Sequence, residues 1–494
     1  MSLLLITRRF KPSICLLTVA LSGCGSNDGN TPSLSSAEKP SIAAGITDAT
    51  PKTTTSGIAD AGVNMEAADT ITAAAISGPI VDAASCNAVA VSAAITMVTN
   101  GGTVNVPAGD CNWGTTQVNV PAGIYLHGAG KNATIIRRSG TVANNNYLIA
   151  YNCTNGRRAV ISDMTLIGNY NPAIQDNGLG LMQGCVDFSV FNMKFTHFVF
   201  SGLYVGSSEN QRGVIFKNDF IDNYRTEVHN LGYGIVVYGG GTWPTLTLGS
   251  ANAVYAEDNY FSGNRHNLAS NNGSRYVFRH NTVIATDAVK DFAMTDAHGK
   301  SSSPRGSRSW EIYENTYSAT LTSGRERTAI GMRGGDGVAF NNTMTSNIAY
   351  PIELQVEGFT CGAYPGPDQI RSAYVWNNST NGLANGILND CPASIQNGRD
   401  VFTMSKPGYV PYIYPHPLRD EAAAVAPAPA PAPAVSWTTC AVENSVCQVS
   451  GTRQVRYGLG SAFAYKTVTA AVACNNATFG DPLPGANKQC ASAN

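Results

Sequence analysis

The stretch "YVFRHNTV", residues 276–283, carries the repeat that decides the fold. Apolar side chains stand at its first, third and eighth positions, and an asparagine stands at the sixth. The same pattern recurs in "VYAEDNYF" (254–261) and "WEIYENTY" (310–317). Further copies place Asn218, Asn342 and Asn378 in the asparagine slot, and Met164 and Met193 occupy it in two earlier copies.

These copies follow one another at intervals of 22 to 41 residues. The shortest intervals match one turn of a parallel β-coil, and the longer ones predict loops inserted at the corners. Period-two alternation turns the apolar side chains inward. We expect the asparagines, including Asn281 and Asn315, to stack from coil to coil and to satisfy buried backbone groups. The repeat therefore predicts an all-β, right-handed parallel β-helix.

Composition agrees with a β-rich, exported protein. The 494 residues include 50 Gly, only 13% are charged, and the formal net charge is -1. Short strands joined by tight turns are typical of this composition. The overall charge balance favours neither a nucleic-acid binder nor a protein that lies on a membrane surface.

The N-terminus has the features of an export signal. Arg8, Arg9 and Lys11 precede the apolar run "SICLLTVA", which is too short to span a bilayer. The following "LSGC" resembles the bacterial lipobox, in which Cys24 would be acylated and begin the mature protein. The residue after it, Gly25, takes the place of the aspartate that holds lipoproteins at the inner membrane. This favours an outer-membrane lipoprotein, with an ordinary secretory signal as the alternative.

Two linkers divide the rest of the chain. After the signal, residues 1–23, a Ser-, Thr- and Ala-rich tether covers 24–75. The β-helix domain is expected over 76–420, an Ala/Pro spacer over 421–436, and a small module over 437–494.

Cysteine usage fits an oxidising compartment. No CxxC pair occurs, so a zinc ribbon or a thioredoxin-type site is not indicated. An even number of cysteines remains once Cys15 and Cys24 are set aside, and this predicts disulfide bonds. The natural pairs join neighbours in sequence: Cys86 with Cys111, Cys153 with Cys185, and Cys361 with Cys391. The connectivity of Cys440, Cys447, Cys474 and Cys490 is left open.

Several motifs carry a resemblance to known proteins. "GGTVNVPAG", "VPAGIYLHGAGKNATIIRR", "FRHNTV", "YENTY" and "FNNTM" resemble the pectate-lyase-like β-helix superfamily over residues 80–418. The segments "DAHG", "GMRGGDGVAFNN" and "YPHPLR" are similar to those of secreted bacterial members. The resemblance implies a polysaccharide lyase or glycoside hydrolase, or a phage tailspike or adhesin. The C-terminal module is similar to small disulfide-bonded appendages of secreted carbohydrate-active enzymes, and its aromatic residues either stack on sugars or form its core.

Positive charge is concentrated in one segment. Residues 265–308 hold seven Lys and Arg against three Asp, a net charge of +4. A basic strip on a β-helix suits an acidic polysaccharide. Cleavage of a uronate by β-elimination needs a cation at the carboxylate, a base for the C5 proton and an acid for the leaving oxygen.

Candidate residues follow from these three needs. His266 or His298 is the expected base, and Arg265 is expected to neutralise the carboxylate. Tyr224 is expected to help protonate the leaving oxygen. The further substrate-binding candidates are Arg225, Arg275, Tyr238, Asp296, Lys300, Arg308 and Arg333. Matching offsets from the repeat predict one strip that contains Tyr224, Arg225, Arg265, His266 and Asp287. By contrast, Arg279 and His280 align with Glu257–Asp258 and Tyr313–Glu314, which predicts an exposed structural ladder of alternating charge.

Other interpretations stay open at this point. A glycoside hydrolase would need paired carboxyl groups, for which Asp287, Asp291 and Asp296 are candidates. A surface adhesin would need the basic strip but no base. Calcium is the alternative to arginine for neutralising the carboxylate, although no Asp-rich ligand set stands out and no metal site is assigned. We expect a monomer whose partners are an acidic polysaccharide and, through the lipid anchor alone, a membrane.

Overall fold

The structure is a computed structural model, which describes residues 76–206, 208–383, 386–419, 436–460 and 462–493. The predicted signal, Cys24, the tether and most of the Ala/Pro spacer lie outside these residues. The chain divides into two compact units between Val425 and Ala426. No helix in the described part of the chain has the length and apolar character needed to cross a membrane.

Three parallel sheets of twelve, nine and ten strands form the first unit. The first sheet contains β1 (Ile80–Asp82), β2 (Gly102–Val106), β5 (Ile124–Gly128), β8 (Val160–Ser162), β11 (Phe188–Phe191), β14 (Gly213–Phe216), β17 (Val254–Glu257), β20 (Arg275–Arg279), β23 (Ser309–Tyr313), β26 (Asp336–Phe340), β29 (Ala373–Trp376) and β31 (Val401–Phe402). The second sheet contains β3 (Gly109–Gly114), β6 (Thr134–Arg138), β9 (Thr165–Ile167), β12 (Lys194–Thr196), β15 (Asp219–Ile221), β18 (Tyr260–Ser262), β21 (Thr282–Thr286), β24 (Thr316–Thr320) and β27 (Thr343–Met344). The third sheet contains β4 (Val118–Pro121), β7 (Tyr147–Asn152), β10 (Asn177–Met182), β13 (Ser201–Gly206), β16 (Tyr233–Tyr238), β19 (His266–Asn271), β22 (Ala293–Ala297), β25 (Glu326–Met332), β28 (Ile348–Leu354) and β30 (Ile387–Asn389).

The predicted parallel β-helix is confirmed. The chain passes through the first, second and third sheets in turn, and each strand pairs in parallel with the strand one coil away. Inward positions stack in register, as Leu268, Ile330 and Ile352 do in the third sheet, and they form one continuous apolar core. The helix α1 (Ala88–Met97) packs Val91 and Ile95 against this core at the N-terminal end.

The predicted asparagine ladder is also confirmed. Asn218, Asn259, Asn281, Asn315 and Asn342 each donate from Nδ2 to the Oδ1 of the next asparagine, ending at Asn378, over 2.8 to 3.1 Å. Each Nδ2 also donates to a backbone carbonyl of the preceding coil. The side chains therefore satisfy backbone groups at the bend between the first two sheets.

Disulfides join the pairs expected from neighbouring cysteines. Cys86 bonds to Cys111, Cys153 to Cys185 and Cys361 to Cys391. The four cysteines whose pairing was left open form Cys440–Cys447 and Cys474–Cys490.

The alternating-charge ladder is present, but its predicted exposure is wrong for Glu257, Arg279 and Tyr313, which are buried, whereas Glu314 is exposed and His280 is half-buried. Glu257, Arg279 and Tyr313 lie side by side in the first sheet, as expected. Arg279 is fully buried, however, because the segment 403–419 lies over the outer face of this sheet. Its guanidinium contacts Glu257 at 2.6 Å and donates to the carbonyls of Tyr412 and Ile413. The ladder is thus a buried support for the chain that covers it.

The second unit is a four-stranded antiparallel sheet in the order β32 (Trp437–Val442), β35 (Gln489–Ala493), β33 (Val446–Leu459) and β34 (Ala462–Ala473). A short helix, α2 (Asn476–Phe479), follows β34. Its core consists of Cys447, Val455, Tyr457, Val468, Cys474 and Cys490.

Candidate functional site

Long connections build a polar region at the corner between the third and first sheets. Segments 239–253, 298–308 and 355–372 join β16 to β17, β22 to β23, and β28 to β29. The connections between them, 272–274 and 333–335, are short. Loops of this length in a compact coil are typical of binding or catalytic sites.

Glycines let these connections approach one another closely. A β-carbon on Gly299 would lie 2.6 Å from the carbonyl oxygen of Arg333. One on Gly334 would lie 2.7 Å from the Cα of Gly299 and 2.8 Å from the carbonyl oxygen of Asp368. The glycines of "DAHG" and "GMRGGDG" are therefore required by backbone contact beside the site.

A histidine–carboxylate cluster, which we define as His266, Asp296, His298, Arg333 and Glu357, lies at this corner. Asp296 Oδ2 contacts His298 Nε2 at 3.0 Å and Arg333 Nη2 at 2.5 Å. Glu357 closes the other side, 3.2 Å from His298 Nδ1 and 2.9 Å from Arg333 Nη1. Two carboxylates, one arginine and one protonated histidine balance in charge, so the cluster is a compact neutral network.

The two histidines of the cluster are driven to opposite protonation states. Burial and Arg333 act to lower the pKa of His298, but Asp296 and Glu357 outweigh them and raise it to about 9. Burial and Arg265 lower the pKa of His266 well below its ordinary value. At neutral pH the raised pKa of His298 favours its charged form, and the lowered pKa of His266 favours its neutral form. Arg333 Nη2 also lies 2.8 Å from His298 Nε2, so two cations crowd one another beside Asp296. Environments that separate two pKa values in this way are a feature of acid–base pairs in enzymes.

The hydrogen bonds of His266 assign its tautomer. Nδ1 lies 2.5 Å from the carbonyl oxygen of Ala293, to which only a protonated Nδ1 can donate. Nε2 therefore carries a lone pair; it lies 3.9 Å from Asp296 Oδ2 and has no hydrogen-bond partner among the described residues. Arg265 Nε and Asn271 Nδ2 are likewise buried without a partner there. Unsatisfied buried polar atoms are uncommon and often mark functional sites.

Arg265 and Tyr224 lie beside the cluster, and both contact Phe292. The Arg265 guanidinium sits 4.7 Å above the ring of Phe292 and donates to the Tyr233 hydroxyl at 3.3 Å. The Tyr224 ring meets Phe292 edge-on at 5.5 Å, while the His266 ring stacks on Tyr233 at 5.7 Å. Burial raises the pKa of Tyr224, which keeps its hydroxyl protonated.

An arginine cleft, which we define by Trp243, Arg305, Arg308 and Arg371, opens next to the cluster. It has a volume of about 540 Å³ and is also lined by Asp336, Pro365, Gly366, Asp368 and Gln369. The guanidinium groups of Arg305 and Arg308 lie 4.4 and 4.8 Å from the Trp243 ring centre. The backbone joins the two sites, since Ser307 donates to the carbonyl of His298 at 2.8 Å.

Two of the three cleft arginines are already paired. Arg305 contacts Asp368 at 2.5 Å and Arg308 contacts Asp336 at 2.9 Å. The exposed Arg371 side chain has no ion pair among the residues that the structure describes. The cleft therefore presents an available cation against an aromatic wall, which suits an anionic ligand.

The remaining predicted residues are dispersed. Tyr238 bonds through its hydroxyl to Ser303, and half-buried Lys300 lies in the same segment, 298–308. Arg275 donates to the Thr247 hydroxyl at 3.3 Å and to the carbonyl oxygen of Glu209 at 2.8 Å, outside the cluster.

The predicted strip is only partly assembled. Arg225 turns away to Glu227, at 2.5 Å, and lies over the ring of Tyr170. Asp287 is exposed and accepts the backbone N–H of Thr322. Neither residue joins His266, because both lie in corner segments that make their own local bonds. Equal offsets in sequence therefore do not give equal side-chain directions there.

Three residues of the site were not among the candidates predicted from the sequence: Glu357, Trp243 and Arg371. All three lie in or beside the long corner segments, and that length was the available signal. Among the described residues, no group of three or more His, Cys, Asp and Glu side chains is arranged to hold a metal ion.

We expect stability to depend on pH through His298. Its pKa is raised from the ordinary 6.5 to about 9, so its contribution is complete below pH 6.5 and is lost as pH rises through 9. The loss should approach about 3 kcal/mol. His298→Gln should flatten the alkaline decline of the denaturant midpoint, while His229→Gln, at an exposed histidine, should leave it in place. An unchanged alkaline decline in His298→Gln would contradict the assignment.

No protein-family model matches the chain. Among solved structures, it is similar to Geobacillus virus E2 ORF18, with 16% identity, a TM-score of 0.34 and coverage of 56% of this chain and 58% of the viral one. It is also similar to the A-module of Azotobacter vinelandii mannuronan C-5 epimerase AlgE4, with 13% identity, a TM-score of 0.28 and coverage of 65% and 95%. A third similarity is to an alginate lyase from Paenibacillus sp. str. FPU-7, with 13% identity, a TM-score of 0.35 and coverage of 56% and 97%.

Proposed function

We propose that this chain is a carbohydrate-active enzyme that cleaves a uronate-containing polysaccharide by β-elimination. One observation carries the proposal: His266 and His298 flank Asp296, with their Nε2 atoms 3.9 and 3.0 Å from its Oδ2, beside a cleft lined by arginines. That combination supplies the base, acid and cation that the reaction needs. Two of the similar structures are an alginate lyase and a mannuronan C-5 epimerase, both named for uronate polymers, which is in keeping with the proposal.

His266 and His298 take opposite roles in the proposed step. The free Nε2 of His266 accepts the proton from C5 of the uronate, which leaves a carbanion beside the carboxylate. As the C4–C5 double bond forms, the C4–O bond breaks, and the charged His298 gives its proton to the leaving oxygen. The proton leaves from Nδ1, whose contact with Glu357 at 3.2 Å is the longer of the two, while Asp296 holds the ring through Nε2 at 3.0 Å.

Arg333 is the proposed cation for the reacting carboxylate. The Arg333 side chain is 17% exposed, whereas the side chain of its partner Asp296 is 2% exposed. Arg333 Nε and Nη2 already donate to Asp296 and its Nη1 donates to Glu357, so the reacting carboxylate would take the remaining N–H groups of Nη1 and Nη2. A positive charge beside that carboxylate lowers the cost of removing the C5 proton. The arginine cleft would hold a neighbouring uronate through Arg371 and Trp243. In this assignment arginine, and not calcium, neutralises the substrate carboxylate. Assays with added EDTA or added calcium test that choice.

The expected result concerns the production of unsaturated ends. Purified protein should raise the ultraviolet absorbance of unsaturated uronates on at least one of pectate, alginate, glucuronan or a glycosaminoglycan. His266→Gln should abolish this signal without changing the folded state, since glutamine keeps a donor for Ala293 but lacks the imidazole base. His280→Gln is the matched control. His280 is a half-buried histidine outside the cluster, and its Nε2 lies 2.9 Å from the Glu314 carboxylate. Full activity in folded His266→Gln would overturn the assignment.

A second candidate function is binding of the same polymer without cleavage. The observation that favours it is burial, because only 4% of His266 and 3% of His298 is exposed. Retention on an acidic polymer with no release of unsaturated or reducing ends would select this function. Release of reducing ends without unsaturated ones would instead select hydrolysis. Lipidation at Cys24, an outer-membrane location and a monomeric state remain part of the proposal.

A further inference from the structure

The C-terminal sheet has two chemically different faces. Side chains alternate along its strands, and Cys447, Val455 and Tyr457 of β33 belong to the disulfide-bonded core. Arg456 lies between Val455 and Tyr457 in sequence and therefore on the other face, where its neighbour across the strand pair is Tyr465. Phe463, opposite Gly458, shares this face. The sequence left open whether the aromatic residues form the core, and the structure divides them: Tyr457 belongs to the core and these do not.

The aromatic face, which we define as Trp437, Arg456, Phe463 and Tyr465, holds one cation among three rings. The Arg456 guanidinium lies 4.7 Å from the Trp437 ring centre and 4.2 Å from that of Phe463. The Tyr465 ring lies 5.8 Å from Trp437 and 6.5 Å from Phe463. Tyr465 is 56% exposed, so the face presents an aromatic ring to the solvent.

Among the described residues of the module, no carboxylate forms an ion pair with Arg456. Residues 436–493 contain two acidic side chains, Glu443 and Asp481, and both contact Lys488, at 3.4 and 3.1 Å. In the described part of the module Arg456 has no ion pair, and its Nε has no hydrogen-bond partner. An unpaired guanidinium held against aromatic rings is complementary to a ligand that joins a carboxylate to an apolar surface.

We propose that the aromatic face is a second binding site for an acidic polysaccharide. A uronate ring has this combination, since one face of the pyranose presents C–H groups and its edge carries a carboxylate. The C–H face would stack on Tyr465 or Trp437, and the carboxylate would take two hydrogen bonds from Arg456. The choice of a uronate polymer rests on the proposed function, but binding at this face does not depend on cleavage. Two sites on one chain would lengthen its residence on a polymer.

The experiment uses the full chain with Tyr465→Ala and Arg456→Gln made separately. Each variant should bind the acidic polymers about tenfold more weakly, by affinity electrophoresis or calorimetry, with a change of about 1.4 kcal/mol. Binding by Arg456→Gln should lose part of its salt dependence. Cleavage of a short oligosaccharide that occupies only the first unit should keep its kcat/KM, whereas KM for the polymer should rise.

Matched controls lie in the same chain. Arg453→Gln removes a cation from the same module whose guanidinium donates to the carbonyls of Ala493 and Ser450. Tyr260→Ala removes a tyrosine that is 37% exposed in the first unit. Both should bind the polymers like the unaltered chain, and a neutral glucan should show no dependence on Arg456.

The outcomes separate this inference from the proposed function. Loss of polymer binding in Arg456→Gln, in a protein that releases no unsaturated ends, would support the second site and reject the lyase. Unchanged binding in both variants would overturn the second site whether or not the chain is a lyase. A dimer that is lost in Tyr465→Ala, measured by light scattering, would also overturn it and identify the face as a contact between two copies.

Discussion

Replacing Arg279 with methionine is expected to destabilise the β-helix unit by about 3–5 kcal/mol, because the change leaves a buried carboxylate without its main partner. Arg279 is fully buried and contacts Glu257 at 2.6 Å. Its remaining hydrogen bonds go to the Tyr313 hydroxyl and to the carbonyl oxygens of Tyr412 and Ile413. Methionine fills part of the space but donates nothing, so these acceptors lose their donor.

The measurement is the denaturant midpoint of the full chain, followed by circular dichroism. The matched control is Arg137→Met. Arg137 also pairs with a carboxylate, that of Asp110 at 2.6 Å, but its side chain is 43% exposed. An exposed pair contributes about 1 kcal/mol or less. Equal effects of the two substitutions would show that burial of Arg279 does not matter to stability.

The Arg279→Met substitution should also increase the local opening of the segment 403–419. Arg279 fastens the segment 403–419 to the first sheet, together with Arg419, which contacts Glu257 at 2.9 Å. Hydrogen exchange in Arg279→Met should therefore rise first in that segment and in the first sheet beneath it. A uniform rise along the coil would argue against a fastening role.

Replacing Asn281 with leucine should cost about 3 kcal/mol or more, since several buried groups lose partners worth about 1–3 kcal/mol each. Asn281 Nδ2 donates to the carbonyl of Ala256 and to Asn315 Oδ1, at 2.9 and 3.0 Å. Its Oδ1 accepts from the backbone N and the Nδ2 of Asn259, at 2.9 and 3.1 Å. Leucine has a similar size but makes none of these four bonds.

Thermal unfolding checks this expectation. Asn119→Leu is the control, because Asn119 is an exposed strand residue that accepts from Gln117 at 2.7 Å. Surface changes of that kind usually alter stability by about 0.5 kcal/mol or less. If Asn281→Leu unfolds at the same temperature as Asn119→Leu, the ladder is not a source of stability.

Much of the fold was predictable because the coil repeats a short-range pattern. Apolar alternation and a recurrent asparagine specify each bend with a few residues, so "YVFRHNTV" and its copies predicted both the β-helix and the Asn218-to-Asn378 ladder. Disulfides between neighbouring cysteines followed the same local logic. The concentration of positive charge over 265–308 likewise pointed to the segment that holds His266, Asp296 and His298.

Only the tertiary structure decided how the corner is assembled and what covers it. Glu357 lies 59 residues from His298, and no repeat relates the two, so their contact depends on the path of a long loop. Arg225 and His266 occupy the same offset on successive coils, yet Arg225 turns to Glu227 and His266 turns to the carbonyl oxygen of Ala293. Arg279 is buried because a segment more than a hundred residues later folds back over it. Local patterns determine a coil, whereas burial and charge pairing depend on contacts between segments that are distant in sequence.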